Sequence, residues 1–247
     1  MQNIQIMLKR LPWFSSEDIV KFAQQMTFRQ FLPGGSATLN LAKMSLLNGH
    51  LDVLNIGDAS LLIIRDSRIV YQTPTHKLGI NKPCQISYDS TKMPRFFAET
   101  IELQHGDIVV SATDGLFDNL PLTLIQHIVN NIVGPYKELL NHPTKVRYSH
   151  DYQLLSQIGT YIAIHLVKAA HNASRDPTVI TSFGRSFEVP KRIPIFKGGK
   201  PDDITVIASV IVEEVEKIEI ERKKQLTRAM SFGPRPSISQ IRRFQEY

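Results

Sequence analysis

Gly106-Asp107-Ile108-Val109-Val110-Ser111-Ala112-Thr113-Asp114-Gly115-Leu116-Phe117-Asp118-Asn119 is the stretch on which the reading of this chain turns. Five apolar or small residues, long enough for a strand, run into an Asp-Gly turn. A second stretch reverses the order: Gly198-Gly199-Lys200-Pro201-Asp202-Asp203 comes first and the strand-like run 204–211 follows. A carboxylate at a strand end leaves the sheet where the backbone turns away. Two such ends at one edge would aim their acids at one cation. Asp58, between the apolar runs 51–56 and 60–64, and Asp118 have comparable positions.

Each acid also has a local explanation. Asp-Gly is a common turn, and Asp107 after Gly106 reads as turn chemistry. Asp118-Asn119 could cap a helix starting near Pro121. Gly57-Asp58 could be a bulge or hairpin corner. Carboxylates with water suit the hard ions Mg²⁺ and Mn²⁺. No histidine pair has zinc-ligand spacing, and His165 and His171 are six apart where helical neighbours need three or four.

With 247 residues, 42% hydrophobic and 21% charged, the chain can bury a core. No apolar run reaches the ~18 residues that span a bilayer. The single cysteine, Cys84, excludes a disulfide scaffold and a cysteine zinc site and reads as an inert thiol. The net charge of +6 is concentrated at one end: residues 221–247 hold seven Lys/Arg and two Glu. A basic appendage is poor evidence for a nucleic-acid groove, so no nucleic-acid partner is expected. No secretory signal is read at the start, and an intracellular setting is expected, with mitochondrion and cytoplasm both open.

The pattern along the chain predicts an amphipathic helix from Ser15 or Ser16, capped by serine oxygen. Strands are expected at 36–47, 51–56, 60–64 and 69–71, as a meander turned by Asn48-Gly49 and Asp66-Ser67. Residues 74–95 read as loop, 97–103 as a strand, and 120–133 and 154–173 as helices. Residues 213–226 read as a charged helix, and the remainder as a basic, disordered tail. Within it, Arg228-Ala229-Met230-Ser231 fits either a basophilic kinase site or plain polar tail. The expected organisation is a helical segment 1–33, a domain 34–212 and a tail 213–247. Strands first and consecutive helices later indicate an α+β layered domain.

The two aspartate stretches resemble motifs of the metal-dependent protein phosphatases of type 2C, the PPM family. Leu54-Asn55-Ile56-Gly57-Asp58-Ala59-Ser60 is similar to the family's Asn-Leu-Gly-Asp-Ser turn, and Gly35-Ser36-Ala37-Thr38 to its Gly-Ser-Thr-Ala strand start. Leu116-Phe117-Asp118-Asn119, Gly-Gly-Lys-Pro-Asp-Asp, and Asp176-Pro177 with Ser182-Phe183 resemble the branch that includes mitochondrial-matrix phosphatases. The resemblance implies an antiparallel β-sandwich flanked by helices. It implies Asp114 and Asp202 as ligands of a binuclear Mg²⁺ or Mn²⁺ centre, Asp58 and Asp118 at a weaker third position, and Asp203 supporting them. The implied reaction is hydrolysis of phosphoserine and phosphothreonine in proteins by a metal-activated water, by a monomer with no side-chain nucleophile. No residue is assigned to the phosphate.

The family's metal-bridging Asp-Gly, within Asp-Gly-Val-Gly-Gly-Trp, has no counterpart before Gly34, where the only acids are Glu17 and Asp18. The family's first strands are expected to be missing with it. Two accounts stay open: a chain lacking its N-terminal part, or a catalytically impaired phosphatase-fold protein that binds without turnover.

Overall fold

The structure, a computed structural model, describes residues 2–10, 13–29, 34–87, 92–146, 148–186 and 197–213. The expected charged helix beyond Glu213, the basic tail and its Ser231 lie outside the described residues.

Two sheets stack face to face. One has the order β2 (Leu39–Met44), β3 (His50–Ile56), β9 (Phe97–Glu102). The other runs β11 (Val206–Val210), β10 (Ile108–Ala112), β4 (Ser60–Arg65), β5 (Arg68–Gln72). All neighbours pair antiparallel. The side-chain period of two divides each strand between layers. Leu51 and Val53 of β3 meet Leu61 and Ile63 of β4 and Val109 of β10 between the sheets. Leu62, Ile64, Ile108 and Val110 face the other way, onto Ile125 and Val129 of α4 (Leu122–Val133) and Ile158, Ile162 and Leu166 of α6 (Ser149–Arg175). Leu54 and Ile56 pack with Leu39, Leu41 and Val20 of α2 (Ser16–Arg29), beside Ile4 and Leu8 of α1 (Gln2–Arg10). The layers are helix, sheet, sheet, helix: the expected α+β sandwich. Strand β4 is covered on both faces, with Leu61, Leu62 and Ile63 at 0% exposure. Each such side chain contributes about 1.5–3 kcal/mol of burial free energy.

Four expectations change. The meander is not one sheet. Strands β2 and β3 form one hairpin, β4 and β5 another, and the chain changes sheets at Gly57-Asp58-Ala59. Gly57 makes the change with φ +96°, against the backbone of Cys84 and the side chain of Thr38, where a β-carbon would collide. The supposed strand 36–47 is broken at Thr38, and its first piece, β1 (Ser36–Ala37), pairs with β8 (Ile86–Ser87). The supposed loop 74–95 holds that β8 and a small hairpin of β6 (Lys77–Gly79) and β7 (Lys82–Pro83). The segment expected to hold one helix from Ser15 or Ser16 holds a second before it, α1, whose apolar face is Ile4, Met7 and Leu8.

The start of α2 follows the serine cap expected from sequence, whereas α6 begins at Ser149, earlier than the expected 154, with a cap that was not anticipated. Ser15 Oγ accepts from the Asp18 N–H at 3.1 Å at the start of α2. At α6, Asp151 accepts from the Tyr148 N–H at 2.9 Å. His165 and His171 are both exposed on α6, and His165 Nδ1 lies 2.8 Å from the Tyr161 carbonyl, so they form no ligand pair. Among the described residues no helix is long and apolar enough to cross a membrane.

Candidate functional site

Antiparallel pairing brings three separated acidic turns to one sheet edge. Ala112, the last residue of β10, is opposite Ser60 at the start of β4 and Val206 at the start of β11. Asp58 enters β4, Asp114 leaves β10, and Asp202 enters β11, so all three lie at the same end. Asp118 comes one helical turn after Asp114, just past α3 (Asp114–Phe117).

The two main turns are stitched together. Thr113 N–H donates to the Thr205 carbonyl, Thr205 N–H donates to Thr113 Oγ1, and Thr113 Oγ1 donates to the Asp203 carbonyl, all at 2.9–3.1 Å. Asn119, 1% exposed, holds both sides. Its Nδ2 donates to the carbonyls of Gly115 and Lys200, and its Oδ1 accepts from the Lys200 N–H at 2.9 Å. Gly115 permits the close approach: a β-carbon there would lie 2.5 Å from the Asp203 carbonyl oxygen.

At the focus of the acids is a lysine. Lys200 Nζ lies 2.8 Å from Asp114 Oδ2, 2.6 Å from Asp118 Oδ2 and 3.0 Å from Asp202 Oδ2. Phe183, on α7 (Ser182–Arg185), presents its ring 5.3 Å from the same ammonium. Its N–H donates to the Asp118 carbonyl. Lys77, from the small hairpin, reaches Asp58 at 3.4 Å and Asp118 at 3.7 Å. Four carboxylates thus face two ammonium groups, leaving two negative charges unbalanced. Burial, and then the Asp114 charge, raise the Asp58 carboxyl above its ordinary pKa. Burial alone would lower the Lys200 pKa, but hydrogen bonds to Asp114, Asp118 and Asp202 outweigh it and hold the ammonium above its ordinary value.

The four predicted acids are therefore brought together. Asp118 is not a cap: α4 begins after Pro121 with no side-chain cap, and the Asp118 carboxylate turns to the two lysines instead. Asp203 enters through its backbone, with its carbonyl on Thr113 and its N–H on Asp202 Oδ1. Sequence reading missed Lys200, Asn119 and Lys77. Lys200 was visible inside the quoted Gly-Gly-Lys-Pro-Asp-Asp, two positions before the acid it neutralises. Asn119 was weighed only as a cap.

The chemistry of the donor set fits a hard divalent ion. Three carboxylate oxygens from two turns already converge on one cation, all within 3.0 Å. As the acids stand in this structure, no group of three or more His, Cys, Asp or Glu among the described residues is arranged to hold a metal ion. The donors fit; the position is filled by Lys200.

No protein-family model matches the chain. It is 29% identical over 188 residues to "Protein phosphatase PTC7 homolog" of Xenopus laevis, covering 72% of this chain and 56% of the relative. The chain thus spans about half the length of the curated relatives it matches. Its fold matches the photosystem II phosphatase PBCP with a TM-score of 0.65 at 22% identity, covering 87% of this chain and 78% of that one. It also matches the catalytic domain of the serine/threonine protein phosphatase PstP in complex with two manganese ions, with a TM-score of 0.52 at 15% identity, covering 86% and 80%. The chain is thus similar in sequence to protein phosphatases named PTC7 homologues and shares the fold of the PBCP and PstP phosphatases.

Proposed function

We propose that the chain works as a metal-dependent phosphatase of phosphoserine and phosphothreonine in proteins. The observation that carries the reading is the convergence of carboxylates from two turns far apart in the sequence, Asp114 and Asp118 from one and Asp202 from the other, on one cation. The relationship to PTC7 phosphatases and the manganese-bound fold neighbour support it.

Asp114, Asp118 and Asp202 would hold a divalent ion, Mg²⁺ or Mn²⁺, with Asp58 beside them. When bound, such an ion supplies an acidified water and neutralises charge on the phosphoryl oxygens. Asn119 and Thr113 fix the two turns against each other, so the acids share one focus. The Asp58 side chain, only 5% exposed, closes the inner side of the site. Lys77, about one-third exposed, places a positive charge at the outer rim, where an anionic substrate would enter. No side-chain nucleophile is required, and Cys84, buried beyond Gly57, takes no part. We place the activity in an intracellular monomer, with mitochondrion and cytoplasm both compatible.

The test is hydrolysis of p-nitrophenyl phosphate and of a phosphothreonine peptide by the full chain, in millimolar Mn²⁺ or Mg²⁺. Hydrolysis is expected, and Asp114→Ala should lower it by more than about 100-fold, the upper limit for residues that merely support a metal ligand. A chain that binds Mn²⁺ but turns over neither substrate would instead be a phosphatase-fold binding protein.

A further inference from the structure

We infer that Lys200 is an internal cation that fills the carboxylate site until a divalent ion displaces it. Metal uptake and withdrawal of the ammonium are then one event. The inference takes the identity of the incoming ion from the phosphatase reading above.

Three distances carry it. Nζ is 2.8, 2.6 and 3.0 Å from Asp114, Asp118 and Asp202, one oxygen from each carboxylate. A Mg²⁺ ion lies about 2.0–2.1 Å from its oxygen ligands. Placed among the same three oxygens, it would coincide with the ammonium. Two cations cannot share that volume, so the lysine side chain has to leave. The local structure allows this without disturbing the turn. Both backbone polar groups of Lys200 are held by Asn119, so the movement falls on the side-chain torsions. The ring of Phe183, already 5.3 Å away, gives the departing ammonium an aromatic face to rest on.

Charge explains why a lysine is there. Without it, four carboxylates would face Lys77 alone, at 3.4 and 3.7 Å from the nearest two. Like charges that close would push the turns apart. Lys200 lets the chain hold its ligands in place before any ion arrives, at the cost of weaker apparent metal affinity. If Lys200 is outside the site in about one molecule in ten, the apparent affinity falls about tenfold.

The experiment measures Mn²⁺ binding to the full chain by electron paramagnetic resonance of the free ion. Lys200→Gln, which removes the charge, should bind about tenfold more tightly than the native chain. Lys200→Arg, which keeps the charge, should stay near the native affinity. A second measurement needs no variant, and so does not depend on whether one folds. Acetylation of native Lys200 by an N-hydroxysuccinimide ester, followed by mass spectrometry, should accelerate about tenfold when Mn²⁺ is added, as the ammonium leaves its carboxylates. Exposed Lys168 on α6 should not change and serves as the internal reference. The inference is overturned if the native chain binds Mn²⁺ while Lys200→Gln binds no more tightly, or if the ion leaves Lys200 acetylation unchanged. Failure of the phosphatase reading looks different: a chain that binds Mn²⁺ without hydrolysing either substrate sinks that reading and leaves the inference standing, whereas native and variant chains that all take up no Mn²⁺ overturn the inference.

Discussion

The two ends of strand β10 carry the same kind of residue and put it to opposite uses. At one end, Asp107 is 0% exposed and balanced. Arg65 donates to both its oxygens, at 2.7 and 2.8 Å, and the Gln104 N–H adds a third bond at 2.8 Å. Its hydrogen bond, then its charge, raise the Arg65 pKa further. At the other end, Asp114 shares one ammonium with two more acids, and the group as a whole keeps surplus negative charge. A buried acid with one matched partner is part of the frame. An excess of acids sharing one lysine is the arrangement on which the proposed cation site rests. Proximity to a glycine turn, all that sequence offers, does not separate the two.

The sharpest way to break this comparison is Asp107→Ala. It should cost about 3 kcal/mol of stability, because it leaves the Arg65 charge without its buried partner. Urea unfolding measures this, and Mn²⁺ affinity measured on the remaining folded chain should not change. If Asp107→Ala abolished Mn²⁺ binding while leaving stability intact, the division of roles would be wrong. Asp114→Ala should do the reverse, removing hydrolysis with little loss of stability, since it relieves repulsion.

A smaller effect probes the clamp between the turns. Asn119→Ala leaves the Lys200 N–H and two carbonyls without their partner and should cost about 2 kcal/mol. It should also weaken Mn²⁺ binding, since the two halves of the site lose their register. A loss of stability with unchanged Mn²⁺ affinity would show that the turns are held by the Thr113 bonds alone. The smallest effect is expected inside the sandwich. Asn40 donates to Asn55 at 2.9 Å and accepts from Ser111 at 3.0 Å, linking the two sheets. Asn40→Ala should cost about 1 kcal/mol by thermal unfolding, with Mn²⁺ affinity unchanged.

Much of this architecture was legible in the residues. The alternation in β3, the apolar run of β4, and the Asp-Gly and Pro-Asp-Asp turns are local signals that lie where the pattern put them, and β2 keeps the middle of its expected strand. The change of sheet at Gly57-Asp58-Ala59 was not legible. A strand that returns beside its predecessor and one that crosses to the opposite layer have the same period of two. Only the burial of β4 on both faces separates them. The site shows the same divide. The acids were readable because strand ends aim side chains predictably. Lys200 was not, because its role depends on three carboxylates supplied from elsewhere in the chain. Asn119 was misread as a cap for a similar reason: its partner at Lys200 is 81 residues away.

That separation also sets a timetable. On a ribosome, Asp58, Asp114, Asp118 and Asn119 are made well before Lys200 and Asp202. Until β11 joins β10, the early acids have no Lys200 to neutralise them, and β10 lacks a neighbour on one side. A growing chain can therefore assemble most of its sandwich before the proposed cation site is complete. The last strand of the sheet brings the missing carboxylate and the lysine in the same movement.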